Sequence, residues 1–116
     1  MDNLNTFESL MEAFRRLSEE KNPVNPQQWL SGALKLNVLL DGEIETLISM
    51  EFILATMRKE ILEQGKSAVY AKMIIEASEE YKTYQLQKAK IKNAEETIKL
   101  AKKYAQVTSD LMRNAL

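Results

Sequence analysis

Apolar residues recur along this chain with the spacing of helices rather than strands. Phe7, Leu10, Met11, Phe14 and Leu17 fall three and four apart, one stripe on an amphipathic helix. Asn5 or Thr6 can cap it, and Asn5 with Glu8 three residues on has capping-box spacing. Asn22-Pro23 stops it, because proline disfavours helical geometry in the residue before it. The pattern predicts a first helix over 6–22.

Asn25-Pro26 restarts the chain, with Asn as N-cap and Pro in the first helical position, where its missing N–H costs nothing. No stop follows before Gln64, which predicts one helix over 26–64. Ala33, Leu40, Leu47, Leu54 and Ile61 share a heptad position, with Leu30 and Ile44 three residues before members of that series. Leu36, Leu39, Met50, Ile53 and Met57 fall on a second, adjacent face. A helix with two apolar faces wants two neighbours. Asp41-Gly42 is its weak point, since Gly costs about 1 kcal/mol in a helix interior. Both residues point outward in this register, so the helix is read as continuous.

Gly65 suits the residue that ends a helix, and Ser67 can cap a short helix over 67–77 carrying Val69, Tyr70, Met73, Ile74 and Ala77. Ser78-Glu79-Glu80 can start a last helix over 78–115, two acids lying near its positive end; the alternative is that the short helix runs through. This last segment is the most regular. Tyr84, Ile91, Ile98, Ala105 and Met112 are spaced by sevens, and the companion positions Ala94, Ala101, Thr108 and Ala115 are small. Large and small residues alternating along a seam let two helices approach closely.

The two long segments would each span about 57–58 Å at 1.5 Å per residue, a match that suits an antiparallel fold-back. The predicted fold is therefore all-α and a single domain: a long antiparallel helical hairpin, coiled-coil-like, with an N-terminal amphipathic helix over the middle helix's second face and a short connector helix. A two-helix seam buries only a narrow stripe. Self-association, most simply a symmetric dimer, is expected to complete the bundle. The residues expected to carry that seam and the assembly are Leu40, Leu47, Leu54, Ile61, Tyr84, Ile91, Ile98, Ala105 and Met112.

Composition narrows the chemistry. The 116 residues include three Gly, two Pro, no Cys and no His. So few turn-formers argue against a many-stranded β fold. Without Cys or His there is no zinc finger, thiol nucleophile, Ser-His-Asp triad, haem histidine or disulfide. No stretch approaches the roughly 18 uncharged apolar residues of a membrane helix. The first residues have neither the basic nor the apolar region of a signal peptide. The expectation is a soluble, cytoplasmic protein that makes no use of a membrane.

The net charge of −1 hides an asymmetry: residues 1–65 sum to −5 and residues 66–116 to +4. Lys82, Lys88, Lys90, Lys92, Lys99, Lys102 and Lys103 crowd the last helix. One reading, the preferred one, is a solvated face that pairs with the acidic helices within the molecule or in a second subunit. The other is a basic stripe that tracks a nucleic-acid backbone, with Lys82, Lys88, Lys92, Lys99, Lys102 and Lys103 as contacts. Tyr81, Tyr84 and Tyr104 could stack on bases, although Tyr84 belongs to the predicted seam.

Two motifs bear on catalysis. Gly65-Lys66-Ser67 looks like the tail of a phosphate-binding loop, but Glu60 stands where the motif needs its first glycine, and a helix precedes it instead of a strand. Glu60-x-x-Glu63 and Glu76-x-x-Glu79 put carboxylates one helical turn apart. All-α nucleotide pyrophosphatases hold Mg²⁺ with similarly paired acids, a reading that requires the two pairs to face each other inside a bundle. A di-iron site of the ferritin kind lacks its histidines. No catalytic, metal or cofactor residue is assigned, and a non-enzymatic protein is expected. Trp29 is expected to pack under the first helix or staple the helix starts together, and the six methionines to fill core gaps.

The C-terminal half carries Gly65-Lys66-Ser67-Ala68, Ala71-Lys72, Ser78-Glu79-Glu80-Tyr81-Lys82, then Glu95-Glu96-x-Ile98-x-x-Ala101-Lys102-Lys103 and a run to Arg113-Asn114. This cadence resembles small helical proteins of tailed phages and prophages, over about residues 28–114. The resemblance implies an accessory role in DNA replication, recombination or packaging within a host cytoplasm, and it brings no catalytic residue. The expected function is a non-enzymatic helical interaction or assembly protein acting through oligomerisation. The alternatives are a nucleic-acid-binding accessory protein and, more remotely, a Mg²⁺-dependent nucleotide pyrophosphatase.

Overall fold

A computed structural model describes residues 6–19 and 26–114 of the chain. Asn5, Asn22-Pro23, Asn25 and Ala115, on which some expected caps, stops and contacts rest, lie outside the described residues. Four helices follow one another: α1 (Phe7–Glu19), α2 (Pro26–Glu63), α3 (Ala68–Glu76) and α4 (Glu79–Asn114). No strand occurs among the described residues. The fold is all-α, and its two long helices, α2 and α4, pack against each other as a hairpin.

The helix ends follow from local chemistry. Thr6 caps α1 reciprocally with Ser9: Thr6 Oγ1 accepts from the Ser9 N–H at 3.2 Å, and Ser9 Oγ accepts from the Thr6 N–H at 3.3 Å. Thr6 and Ser9 thus have the reciprocal bonding of a capping box, while the Asn5–Glu8 pairing foreseen from the sequence involves Asn5, outside the described residues. Along α1, Glu12 accepts hydrogen bonds from Arg15 and from Arg16. The Arg15 guanidinium holds the Glu12 carboxyl well below the usual carboxylate range, at about 2.

Pro26 opens α2, which runs 38 residues, about 57 Å. Gly42 does not interrupt it. A Cβ placed there would meet nothing within 4 Å. Thr46, Ser49 and Thr56 donate their hydroxyls to the carbonyls of Gly42, Glu45 and Phe52 at 3.0–3.2 Å, so these hydroxyls are satisfied within the helix itself. The stop comes at Gly65, whose φ of +83° is the left-handed conformation an L side chain resists. Ser67 Oγ then accepts from the Tyr70 N–H at 3.1 Å and starts α3.

Ser78 separates α3 from α4. Its hydroxyl donates to the Ile75 carbonyl at 2.6 Å and accepts from the Tyr81 N–H at 3.2 Å, ending one helix and capping the next. The short helix therefore does not run through. α4 continues for 36 residues, about 54 Å.

The chain divides into two compact units. One holds α1, α2 up to Asp41 and α4 from Lys92; the other is Gly42–Ile91. In the first, Trp29 joins three helices. Its ring lies 5.7 Å from that of Phe14 on α1 and 5.5 Å from that of Tyr104 on α4. This matches the expected packing under the first helix. Phe14 crosses directly over Gly32, where a Cβ would come within 2.8 Å of the ring. Ala33, Leu36, Ala94, Ala101 and Ala105 are all at most 2 % exposed. Four alanines around one leucine are the signature of helices packed backbone to backbone.

In the second unit the contacts are partly polar. Gln87 is buried, and its Nε2 donates to the Glu43 carbonyl at 2.9 Å and to the Glu43 carboxylate at 2.7 Å. The Lys90 ammonium lies 3.1 Å from the same carboxylate. The Tyr84 hydroxyl, about one turn before Gln87, donates to Glu51, about two turns beyond Glu43, at 3.4 Å. Partners 43 with 87–90 and 51 with 84 run in opposite senses, which fixes the two helices antiparallel. α3 contributes Ala71 and Ile75 to the interior.

Two substitutions separate these features. Ala101→Leu should overfill the small-residue seam and cost about 1–3 kcal/mol of unfolding free energy. Its neighbour Leu100 is half exposed, and Leu100→Ala should change stability by only about 0.5 kcal/mol. Denaturant titrations of the two variants measure the contrast, and equal effects would refute the close approach. Glu43→Ala removes the carboxylate shared by Gln87 and Lys90 and should cost about 1–2 kcal/mol in the same titration, an unchanged midpoint speaking against the polar lock.

Candidate functional site

The residues expected to form the seam face the interior of the chain's own fold. Leu40, Ile91, Ile98 and Ala105 are buried, and Leu47, Leu54, Ile61 and Tyr84 are half-buried. The Met112 side chain lies outside the described residues. Leu40, Ile91, Ile98 and Ala105 are thus covered within the chain itself, while Leu47, Leu54, Ile61 and Tyr84 keep part of their surface exposed. Of the second face foreseen on the middle helix, Leu36 is buried, Leu39, Met50 and Met57 are half-buried, and Ile53 is exposed.

A different apolar row is the more exposed one. On α2 in the second unit, Ile44, Ile48 and Phe52 succeed one another four residues apart, with Ile48 58 % and Phe52 74 % exposed. Residues four apart lie one above another on a helix, so these side chains form a continuous apolar ridge. Large hydrophobic groups held in water at this density are unusual for a surface that stays bare.

The ridge runs toward a groove of about 480 Å³ between α2 and α3. Ala55 and Arg58 wall it on the α2 side, Val69 and Lys72 on the α3 side, with Tyr81 at its end. α3 adds further apolar surface, with Val69 71 % and Met73 65 % exposed and Tyr70 and Ile74 less so. Arg58 and Lys72 make no ion pair among the described residues. In the other unit, a groove of about 520 Å³ lies between α1 and α2, with Phe14 and Gly32 along it and Arg16 and Lys35 flanking it.

Apolar heptads alone do not pick out this ridge: Ile44 falls beside the inner heptad series, and Ile48 and Phe52 belong to no unbroken one. A signal was present: 48, 52 and 55 continue the spacing of Leu34 and Val38. Asp41 and Glu45 interrupt that row, so a search for unbroken apolar heptads does not find it.

The lysines of α4 are exposed at Lys82, Lys88, Lys92, Lys99, Lys102 and Lys103. At 3.6 residues per turn, Lys88, Lys92, Lys99 and Lys103 share an arc of about 60°, with Lys102 just outside it and Lys82 further round. The Lys88 ammonium sits 5.4 Å from the centre of the Tyr84 ring. None of the six makes a salt bridge among the described residues. Glu95 and Glu96 flank the same arc and dilute its charge. Tyr81 and Tyr84 stand 6.1 Å apart, Tyr84 tied to Glu51 and Tyr81 accepting from Gln85 at 2.7 Å.

No family model, curated protein or solved structure matches this chain.

Glu60, Glu63, Glu76 and Glu79 are all exposed. Among the described residues no group of three or more acids is arranged to hold a metal ion. Gly65 and Ser67 serve as helix end and helix cap, and the Lys66 ammonium lies 5.6 Å from the Tyr70 ring centre. No described helix is long and apolar enough to cross a membrane.

Proposed function

We propose that this chain is a non-enzymatic helical assembly protein that acts by pairing with copies of itself, a dimer being the simplest form. The observation that carries this reading is the bare apolar ridge of α2, Ile48 and Phe52 foremost. A hairpin of long helices has little interior relative to its surface, and burying such a ridge against a second copy supplies the missing core. The resemblance to small helical phage proteins adds a setting, an accessory role in the handling of DNA in a host cytoplasm.

Sedimentation velocity between micromolar and hundred-micromolar chain concentration tests the proposal. A concentration-dependent species of twice 13.3 kDa is expected. A single 13.3 kDa species over the whole range would overturn it.

A second reading, binding of nucleic acid along α4, is favoured by one observation: four exposed lysines without salt bridges on a single arc. Affinity for single- and double-stranded DNA should then fall steeply with salt. Replacing Lys88, Lys92, Lys99 and Lys103 by Gln should flatten that dependence by up to about four in the slope of log affinity against log salt, since each phosphate contact contributes about 0.7–0.9. Absence of binding at low salt removes this reading.

A further inference from the structure

The order of charges along the α2 ridge makes that ridge complementary to itself, but only in one orientation. Glu45, Phe52 and Lys59 are seven residues apart, and Ile48 and Ala55 fall between them with the same spacing. Together they trace one outward heptad row on the side of α2 away from its buried seam. Between Gly42 and Met57 the helix carries Glu43, Glu45 and Glu51 and no basic residue; Arg58 and Lys59 follow immediately. The row is thus acidic at one end, apolar in the middle and basic at the other.

We propose that two copies of this chain pair along this row, α2 against α2, antiparallel, with the two-fold axis passing at Phe52. This rests on the reading that the chain self-associates and says where and how it does so. With the axis at Phe52, Glu45, seven residues before it, stands opposite Lys59 of the second copy, seven residues after. The same pair forms again across the axis, as an isologous contact demands. The two Phe52 rings meet at the centre. Ile48 of each copy falls beside Ala55 of the other, at the mouth of the groove whose far wall is Val69. The 74 % exposed Phe52 and 58 % exposed Ile48 are buried by the same event.

The opposite orientation is disfavoured by the same residues. In a parallel, in-register pair Glu45 would face Glu45 and Lys59 would face Lys59, so both ends of the row would repel. The Glu45 carboxylate makes no ion pair within the chain among the described residues. Among the described residues Lys59 pairs with Glu63, at 3.9 Å between exposed side chains, a contact weak enough to yield.

The chain has no cysteine, so single introduced thiols report proximity without interference. Phe52→Cys, oxidised under mild conditions, should give a covalent dimer in high yield. Glu45→Cys alone and Lys59→Cys alone should not, whereas an equimolar mixture of those two should give the mixed disulfide. Sedimentation equilibrium supplies the second arm. Phe52→Glu should weaken dimerisation by about 30-fold or more, as a central anchor does. Glu45→Lys or Lys59→Glu alone should weaken it about tenfold, and the two combined should restore it. Circular dichroism confirms that each variant is still helical.

If the unaltered chain associates but Phe52→Glu leaves the dimer intact, this placement is wrong while self-association stands. Should Glu45→Cys cross-link to itself, or the combined charge exchange fail to restore affinity, the antiparallel arrangement is wrong. A chain that remains monomeric throughout refutes self-association itself.

Discussion

Close approach between α2 and α4 is the constraint on which this fold depends. Ala33, Ala94, Ala101 and Ala105 bring backbones together around Leu36, and the contact gains its stability from density more than from the size of any side chain. Larger groups are admitted where a third helix passes: Phe14 needs the space left by Gly32, and Trp29 spans from Phe14 to Tyr104. In the other unit the role shifts to Gln87, Glu43 and Lys90. A buried amide held by one carboxylate fixes register more strictly than aliphatic contacts can, because sliding either helix by a turn would leave it without its acceptor.

A narrow seam has a consequence for the opposite side of the same helix. α2 is apolar around much of its circumference, so whatever stripe the hairpin buries, another stays outside. The residues left out include the ridge of Ile48 and Phe52 and the outer face of α3, where Val69 and Met73 stand in solvent while Ala71 and Ile75 face inward. A nine-residue helix can cover little and has two faces of its own. The exposed apolar surface is therefore a product of the architecture: thin layers cannot shield both sides of a hydrophobic helix.

Much of the fold was legible in the sequence because it depends on local signals. Pro26, Gly65, Ser67 and Ser78 punctuate the chain by rules that act within four residues, and the helices begin and end beside them. Heptads identified which residues of α4 turn inward, and the small companions Ala94 and Ala101 proved the most buried. What the sequence did not yield depends on pairing at a distance. Nothing near Gln87 in the chain announces that Glu43, 44 residues away, will accept its hydrogen bonds. Periodicity also cannot say which of two apolar rows the fold will bury. On α2 Leu40 is buried and Leu47, Leu54 and Ile61 are half-buried, whereas Ile48 and Phe52 of the other row stand mostly in solvent.

Glu45 and Lys59 bear on why such a bare row would be tolerated. A ridge of uninterrupted leucines and phenylalanines would bind more tightly, but it would accept any apolar partner, in any register. Charges placed at the two ends weaken indiscriminate contact, since each must lose water wherever it meets no opposite charge. They leave one arrangement in which both find partners. Glu45, which interrupts this row and hides it from a search for apolar heptads, is also one of the two charges that would give the proposed pairing its direction, and a chain with so little interior would gain more from a surface that selects its partner than from one that merely adheres.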